Sequence, residues 1–382
     1  MPVLSYKYRL YPTHAQVAGL TDMLGSFCEL YNACLQQRIE AYQRRKKTLS
    51  FYDQSYELKE VRAVDERLAS YSFSAEQRVI RRLDKAFKAF FGRVKNGKGG
   101  FPRFQAKSRW DSAEFRVGDG LTIRKSKKLG IVGIPGEIKV RWHRELPPDA
   151  KVLAAIISRS CGKWYICFAV ETPDAYGPHP LGAVIGVDVG LTSLIATSDG
   201  DAEPTPKWVA KSAKKQRRLQ RALARCKSGS KRRLKAKRNL ARHSARTANQ
   251  RRDFAHKLSR TLVNRYSHIA FEDLNITGLA RGILAKSVLN AAWGQLISFT
   301  SYKAEGAGGV VVKVNPRGTS QECDCCGLVT PKTLSDRIHN CPGCGTVEDR
   351  DVHAAKVIKH RAFPWSRGPG AGLGASSQRV AA

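Results

Sequence analysis

Three acidic side chains occur in settings that could gather them around metal ions. Asp188 closes an apolar run that starts at Ala183, and Glu272 closes a second one. Asp351 follows a cluster of cysteines, in the stretch Asp-Arg-Asp-Val-His. A lone buried charge is costly unless it is paired or metal-bound. Carboxylates in such positions therefore indicate a site for two Mg²⁺ ions, which would support phosphodiester hydrolysis.

Each of these acids also has an ordinary explanation when it is considered alone. Asp188 could be a turn residue, and Glu272 could cap the turn that follows it. Asp351 could be the N-cap of a helix. The metal-site hypothesis is favoured by their order along the chain: strand and Asp, strand and Glu, helix and Asp in one α/β domain. It requires that the two strands are neighbours in the sheet.

The charge of the chain indicates a polyanionic partner. Its 382 residues include 67 Lys and Arg against 32 Asp and Glu, which gives a formal charge of +35. Such an excess fits nucleic acid or an anionic membrane. No apolar stretch approaches the roughly 18 residues that a membrane span needs, and the first residues lack a signal-peptide pattern. We therefore expect nucleic acid and no membrane.

Four cysteines have the spacing of a zinc ribbon. Cys323 and Cys326 form one CxxC pair, and Cys341 and Cys344 form a second after fourteen residues. Four thiolates make a closed, structural Zn²⁺ site with no open position for catalysis. Cys325 lies inside the first pair, where its geometry is poorer, and we expect it to be a bystander.

The remaining five cysteines have no ligand spacing. They are typical of small buried side chains in a reducing compartment, so disulfides are disfavoured and an intracellular protein is expected.

The elements that must position these residues fall into two domains. Residues 3–10 alternate like a strand, residues 13–95 have helical periodicity, and residues 114–172 are typical of short strands with a hairpin near Gly162. This pattern predicts a small β-barrel of residues 1–12 and 96–178 that is interrupted by the helical insert. A stretch rich in Pro and Gly from Thr172 to Pro180 has the composition of a linker.

The second domain carries the acids and a basic hairpin. Strands are predicted at 183–188, 194–198, 269–271 and 310–314, with helices around 291–304 and 352–361. Residues 207–260 hold 21 Lys and Arg and a single acid, Asp253. A narrow apolar stripe that includes Leu223 and Leu234 keeps helical spacing, which favours a helical hairpin over a disordered charged tail.

The chain resembles the TnpB family, which is related to type V CRISPR effectors, in an ordered set of segments over roughly residues 3 to 360. The matching segments are Tyr8–Pro12, Leu83–Phe91, Gly186–Gly190, Phe271–Asn275, Thr319–Cys323, the cysteine cluster and Asp349–Asp351. The resemblance implies a wedge-type barrel, a helical recognition insert at 13–95, and a ribonuclease H-like (RuvC) domain at 179–318 and 347–362. It also implies a zinc ribbon at 319–346. Residues 363–382 are expected to be a disordered tail.

The resemblance further implies an activity and partners. A structured guide RNA from the end of a transposable element would direct cleavage of double-stranded DNA beside a short adjacent motif, with Asp188, Glu272 and Asp351 as the acidic triad for two Mg²⁺ ions. His353 stands where the family usually has Asn. Whether one chain or two form the active unit stays open.

Candidate contacts to nucleic acid follow from the same resemblance. Gln77 is a candidate base contact, because an amide can pair with adenine, although it could equally be a solvated helix residue. Basic side chains of the hairpin would neutralise phosphates without reading sequence. Those singled out are Arg217, Arg218, Arg221, Arg232, Arg233 and Arg238.

Two other functions are compatible with part of the pattern. A non-catalytic zinc protein that binds RNA or DNA and regulates transposition or transcription would leave the three acids idle. A strand-joining transposase would need a separate domain to recognise element ends, and no helix-turn-helix stands out in the sequence. A small type V CRISPR effector would share the chemistry and differ in genomic neighbourhood.

Overall fold

The computed structural model describes residues 3–124, 126–148, 151–171, 183–206, 208–279, 281–282, 285–333 and 336–366. The predicted linker from Thr172 to Pro180 and residues 367–382 of the predicted tail lie outside the described residues. The chain divides into two compact units, Met1–Asp174 and Ala175–Ala382.

The strands are β1 (Val3–Tyr11), β2 (Ser112–Val117), β3 (Gly120–Ile123), β4 (Lys128–Ile131), β5 (Glu137–Arg141), β6 (Lys151–Ser160), β7 (Lys163–Glu171), β8 (Val184–Val189), β9 (Ser193–Thr197), β10 (Ala202–Pro204), β11 (His268–Glu272), β12 (Val310–Val314), β13 (Ile338–Asn340) and β14 (Val347–Asp349). The helices are α1 (His14–Arg45), α2 (Phe51–Val64), α3 (Glu66–Ala69), α4 (Phe73–Lys95), α5 (Trp208–Ala224), α6 (Lys231–Arg265), α7 (Ile276–Leu279), α8 (Ala285–Ala291), α9 (Trp293–Gly306) and α10 (Arg350–Ala362).

The first unit contains a closed barrel in the strand order β1-β5-β4-β3-β2-β6-β7. The first strand joins β5 on one side and β7 on the other, so the predicted barrel of the N-terminal strand and the later strands is confirmed. Alternate residues of β1 face the core, where Tyr8 and Leu10 are fully buried. The turn between β6 and β7 is at Cys161 and Gly162, both with positive φ.

Helices α1 to α4 occupy the chain between β1 and β2. The first helix begins at a capping box, in which Thr13 and Gln16 bond each other's backbone N–H groups. It buries Leu20, Leu24 and Phe27 at helical spacing, as the periodicity predicts. The insert therefore shares one hydrophobic core with the barrel.

The second unit is built on a five-stranded sheet in the order β10-β9-β8-β11-β12. Strands β8, β11 and β12 run parallel, and β9 is antiparallel to β8. Helix α10 crosses β8 at Gly186, where a Cβ atom would lie 1.9 Å from the carbonyl oxygen of Ala355 and 2.7 Å from the backbone nitrogen of Lys359. Only glycine permits this close approach.

The C-terminal end of the described chain extends further than predicted. Phe363 is buried and packs with Ala270, Val314 and Ile358, and a short 3-10 turn follows at Pro364–Ser366. The boundary of the tail at residue 363 is therefore wrong by four residues, because an aromatic side chain there covers the α10 face of the sheet.

Helices α5 and α6 form the basic hairpin, with a turn between Cys226 and Ser230. Ser230 caps α6 by accepting a hydrogen bond from the backbone of Arg233. The apolar stripe is narrower than predicted, because Leu234 is exposed. Among the described residues, no helix is long and apolar enough to cross a membrane.

Candidate active site and zinc centre

Asp188 and Glu272 lie at the same level on two neighbouring parallel strands. Val187 of β8 pairs with Phe271 of β11, so the next residue on each strand is one of the two acids. Because side chains alternate across a strand, Asp188 points to the same face of the sheet as Gly186. That face is the one on which α10 packs. The strand pairing therefore brings both acids towards the helix that carries Asp351.

Asp351 lies in the first turn of α10 and is not its N-cap. The cap is Asp349, whose carboxylate accepts hydrogen bonds from the backbone of Asp351 and Val352 at 2.9 and 3.1 Å. The Asp351 carboxylate is thus free of capping and is held by the guanidinium of Arg350, with Nε 3.1 Å and Nη2 3.0 Å from Oδ1. The ordinary explanation of Asp351 as a cap is wrong.

The charges of the three acids affect each other. Burial, together with the nearby charges of Glu272 and Asp351, raises the pKa of Asp188 to about 8, although Arg350 opposes the shift. Burial also raises the pKa of Glu272, which the hydroxyl of Thr319 opposes by donating a hydrogen bond to it. Because two neighbouring acids disfavour the ionisation of Asp188, a cation bound at this position would stabilise its carboxylate.

The carboxylates are not drawn together as tightly as the cysteines. Among the described residues, the groups whose ligand atoms all lie within 4.8 Å of one another consist of cysteine and histidine and do not include these acids. Carboxylate oxygens are the donors that Mg²⁺ prefers.

The four predicted zinc ligands converge in the second unit. Cys323, Cys326, Cys341 and Cys344 have their Sγ atoms within 4.8 Å of one another, with pairs at 3.5 and 3.6 Å. Tetrahedral Zn–S bonds of about 2.3 Å require S–S distances of about 3.8 Å, so the set fits one Zn²⁺. Cys325 is exposed and lies outside this set.

The two CxxC turns, Cys323–Cys326 (the first zinc knuckle) and Cys341–Cys344 (the second), have the same backbone hydrogen bonds. Gly327 donates to the carbonyl of Cys323 at 2.8 Å, and Gly345 donates to the carbonyl of Cys341 at 2.9 Å. Both glycines have φ above +70°, the left-handed turn that the glycine after each CxxC pair permits. Hydrogen bonds from Thr346 lower the pKa of Cys344 to about 6, which favours the thiolate that zinc binds.

A second possible ligand group shares one cysteine with the first. Cys323, His339 and His353 also have ligand atoms within 4.8 Å. The two imidazoles are stacked 3.5 Å apart, and three of their four nitrogens already bond protein groups: Lys332 at His339, and Glu348 and the Asp324 backbone at His353. The four-cysteine set offers four sulfurs, whereas the second group offers one sulfur and a single nitrogen without a partner among the described residues, so the cysteine set is the better zinc site.

The predicted phosphate-binding arginines differ in what they contact. Arg217, Arg218 and Arg221 line one exposed groove on α5 together with several lysines. Arg232 and Arg238 are exposed on α6.

Arg233 is half-buried, and its guanidinium donates to the carbonyls of Leu223 and Cys226, both at 3.2 Å. This side chain closes the end of α5, so its assignment as a phosphate contact is not favoured.

Gln77 has a partner within its own unit. Its amide nitrogen donates to the hydroxyl of Ser55 at 2.7 Å, between α4 and α2. The interpretation of Gln77 as a solvated residue is therefore incomplete, since its side chain is half-buried and oriented by Ser55.

Comparisons with known proteins agree with this architecture. A family model described as a probable transposase (OrfB_IS605) matches residues 166–282, and one described as the Cas12f1-like TNB domain matches residues 293–358. A protein of Streptomyces pristinaespiralis, named as a candidate RNA-guided DNA endonuclease, is 32% identical over 361 residues, which cover 93% of this chain and 88% of that protein. The chain belongs to the TnpB family. A second TnpB-family relative, the Escherichia coli InsQ protein, is 27% identical over 93% of this chain and 91% of its own.

Solved structures of CRISPR effectors share the fold. The Cas12f1 chain in a complex with guide RNA and target DNA superimposes with a TM-score of 0.58 at 14% identity, over 90% of this TnpB-family chain and 82% of that one. The mini-RNA-guided endonuclease Cas_phi3 gives a TM-score of 0.51 at 9% identity, over 97% and 94%. The predicted multidomain α/β fold class is therefore confirmed.

One family model carries a name that the structure does not reproduce. A helix-turn-helix model matches residues 1–47, where the chain forms strand β1 followed by the single long helix α1. A strand-joining transposase that reads element ends with this segment is not supported by that geometry.

Several residues that hold the site could not be predicted from spacing. Thr319, Arg350 and His353 each contact a candidate ligand or its neighbourhood, yet none forms a motif with its partner. The sequence signals for them are that Thr319 and Arg350 lie inside segments that resemble the family and that His353 stands where the family usually has Asn.

Proposed function

We propose that this TnpB-family protein is an RNA-guided endonuclease that hydrolyses double-stranded DNA beside a short adjacent motif. The single observation that carries the proposal is the position of Asp188 and Glu272 at one level of adjacent parallel strands, on the face covered by the helix of Asp351. Such an arrangement has little use in a protein that only binds nucleic acid. The names of the relatives support the same conclusion.

The three carboxylates would hold two Mg²⁺ ions. When bound, the ions would stabilise charge on the attacking and leaving oxygens of the phosphodiester. Asp188 on the central strand β8, Glu272 on β11 and Asp351 on α10 would supply the carboxylate ligands. The five-stranded sheet with α10 on this face supports the assignment of the domain as ribonuclease H-like, of the RuvC type.

Arg350 also orients one of the three acids. Its guanidinium bonds the carboxylate of Asp351, and the two side chains are mostly buried, with 14% of Arg350 and 18% of Asp351 exposed. Because a guanidinium is always charged, it offsets the repulsion among the three acids and orients Asp351 before ions arrive. The bound ions would then compete with Arg350 for the Asp351 oxygens.

The basic hairpin is proposed to bind guide RNA and the RNA–DNA heteroduplex through phosphates. Its exposed arginines and lysines form a groove on α5 without acids among its lining residues. Contacts of this kind carry no sequence information, which would come from base pairing with the guide. Gln77, oriented by Ser55, is the candidate that would read the adjacent motif.

The experiment that tests the function uses protein co-expressed with the DNA that flanks its gene. RNA that copurifies is sequenced, and the complex is incubated with Mg²⁺ and a plasmid that matches this RNA beside a randomised flank. We expect cleavage that requires the match, selects a flank and is lost in Asp188→Ala.

Bound RNA without Mg²⁺-dependent cleavage on any flank would contradict the proposal. That result would favour the regulatory function, in which the protein binds RNA or DNA without cutting it.

A further inference from the structure

Hydrogen bonds join the first zinc knuckle and the residue before it to α10, the helix that carries Asp351, and we call this set of contacts the clamp. Three side chains of α10 reach the knuckle: His353 and His360 bond Asp324, and Arg361 bonds Glu322. Arg361 also donates to the carbonyls of Asn315 and Arg317, at 3.0 and 2.9 Å, in the segment that leads from β12 to the knuckle. The position of α10 is therefore tied to the residues that precede and surround Cys323.

The same segment also contacts the carboxylate of Glu272. Thr319 lies four residues before Cys323, is buried, and donates its hydroxyl hydrogen bond to Glu272. Glu272 is itself only 7% exposed, so a bond to its carboxylate limits the rotamers open to it. Two of the three candidate Mg²⁺ ligands are thus held from the side of the zinc ribbon.

His353 is the central contact of this clamp. Its Nε2 lies 3.0 Å from the backbone nitrogen of Asp324, which donates to it, and 3.2 Å from the carbonyl oxygen of Glu322. Its Nδ1 bonds the carboxylate of Glu348, the middle residue of the strand that leads into α10. The ring is fully buried and stacks on His339 with an interplanar angle of 10°.

Imidazole suits this position because its two nitrogens point in different directions. One reaches the knuckle and the other reaches Glu348, so a single side chain joins the ribbon, β14 and α10. The side chain of Asn is shorter by about one bond and could reach only one of these partners. The residue at 353 therefore determines how firmly the ribbon and α10 are joined.

We propose that the zinc ribbon is a positioning element for the Mg²⁺ site, acting through Thr319 on Glu272 and through His353 on the helix of Asp351. The proposal rests on the proposed function of the three acids as metal ligands. Residues that orient a metal ligand typically change metal affinity by about 10–100-fold when they are removed. Positioning these ligands would be a function of the ribbon that does not depend on contact with nucleic acid.

The test measures divalent-ion binding directly, without cleavage. Mn²⁺, as a spectroscopic substitute for Mg²⁺, is titrated into the full-length protein and followed by electron paramagnetic resonance, while zinc per chain is measured by elemental analysis. The variants are His353→Leu and Thr319→Val, with His353→Gln and Thr319→Ser as conservative partners. Gln can place an acceptor near the position of Nε2, and Ser keeps the hydroxyl.

We expect the Mn²⁺ dissociation constant to rise at least about 10-fold in His353→Leu and Thr319→Val. The conservative variants should recover most of this loss, and all four should keep one zinc per chain. An unchanged Mn²⁺ affinity in Thr319→Val, or a loss in His353→Gln and Thr319→Ser equal to that in the apolar variants, would overturn the proposal. If His353→Leu loses zinc, the comparison of Thr319→Val with Thr319→Ser tests the proposal by itself.

Failure of the proposed function would give a different result. In the same titration Asp188→Ala should bind no Mn²⁺ at this site, so that the resonance of free Mn²⁺ is no longer reduced by the protein. If the wild-type protein and Asp188→Ala bind Mn²⁺ equally, the three acids are not the metal site and the proposed function is wrong, whatever the clamp variants do.

Discussion

The two candidate metal centres of the second unit differ in how closely their candidate ligand atoms lie together. Four thiol sulfurs lie within 4.8 Å of one another, whereas the three carboxylates do not form such a group and are held by Thr319 and Arg350. The four sulfurs lie about as close to one another as a single Zn²⁺ ion would hold them. At the carboxylate centre, burial and then the charges of Glu272 and Asp351 raise the pKa of Asp188, so ionised acids there disfavour a closer approach.

This difference matches two different tasks. A closed tetrahedral site with all ligands in place suits a zinc ion that stays bound and stabilises the fold. A site whose acids are held slightly apart suits ions that exchange and that leave room for phosphate oxygens. If this division is right, each centre keeps its own metal when the other is altered, although the zinc ribbon helps to position the carboxylates.

The largest effect should come from removing the carboxylate of Asp188. Asp188→Asn keeps the size of the side chain but removes its charge, so ion binding should fail at the carboxylate centre alone. We expect guided cleavage to fall by more than about 10³-fold, about 4 kcal/mol in activation free energy, in single-turnover assays. Zinc per chain should stay at the wild-type value, and loss of zinc in this variant would show that the two centres are not separate.

The converse change removes one thiolate. Cys341→Ser leaves three ligands, and because bound zinc contributes directly to folding, residues 319–347 should become sensitive to protease. Cleavage should also fall, because Thr319 and His353 would lose their fixed positions. Cys325→Ser is the matched control, since its exposed thiol lies outside the cluster, and it should keep zinc and activity. Zinc loss in the control instead would make Cys325 a ligand.

Gly186→Ala should separate α10 from the sheet. The added Cβ would lie 1.9 Å from a backbone oxygen of α10, which cannot move without the whole helix. We expect a destabilisation of at least about 3 kcal/mol, measured as a lower melting temperature, and weak Mn²⁺ binding in the protein that folds. Gly92→Ala, at an open position of α4 with nothing within 4 Å, should be neutral or slightly stabilising. Equal melting temperatures for the two variants would contradict the close packing of α10 on β8.

A buried lysine tests pH effects that belong to neither centre. Lys303 donates to the carbonyl of His256 at 2.6 Å and to Ser259 at 2.7 Å, and burial lowers its pKa to about 8. The unfolded chain therefore binds more protons than the folded one between about pH 8 and 10.5, so stability should rise with pH in that range.

The measurement compares the wild type with Lys303→Met. Relative to this variant, the wild type should gain on the order of 2 kcal/mol of unfolding free energy between pH 8 and pH 10.5. A constant difference across this range would show that Lys303 titrates at its ordinary pKa. Mn²⁺ affinity at pH 7 should be the same in both proteins.

The smallest effect concerns two arginines of the hairpin with equal charge and different surroundings. Arg218→Gln should lower the slope of log K against log salt for guide RNA by about 0.7–0.9, because an exposed phosphate contact is lost. Arg233→Gln should leave the slope unchanged and lower the melting temperature, because Arg233 closes the end of α5. Equal slopes for both variants would contradict the assignment of the groove on α5.

What the sequence could predict depended on how local the signal was. The cysteine spacing identifies the zinc ligands within one short segment, and the apolar runs that end at Asp188 and Glu272 identify strands β8 and β11. The clamp residues could not be found this way, since Thr319 and Glu272 are 47 positions apart and His353 and Asp324 are 29 apart. Such contacts depend on how α10 packs on the sheet, which Gly186 permits but does not specify.

The most direct test of the account removes exchangeable ions from the guided complex by dialysis against a chelating resin. Zinc per chain and cleavage of a matching plasmid are then measured before and after Mg²⁺ is returned. We predict one zinc per chain throughout, no cleavage after dialysis, and full recovery with Mg²⁺ alone. Cleavage that persists without Mg²⁺, or activity that returns only when zinc is supplied, would contradict the division between a permanent zinc centre and an exchangeable carboxylate centre.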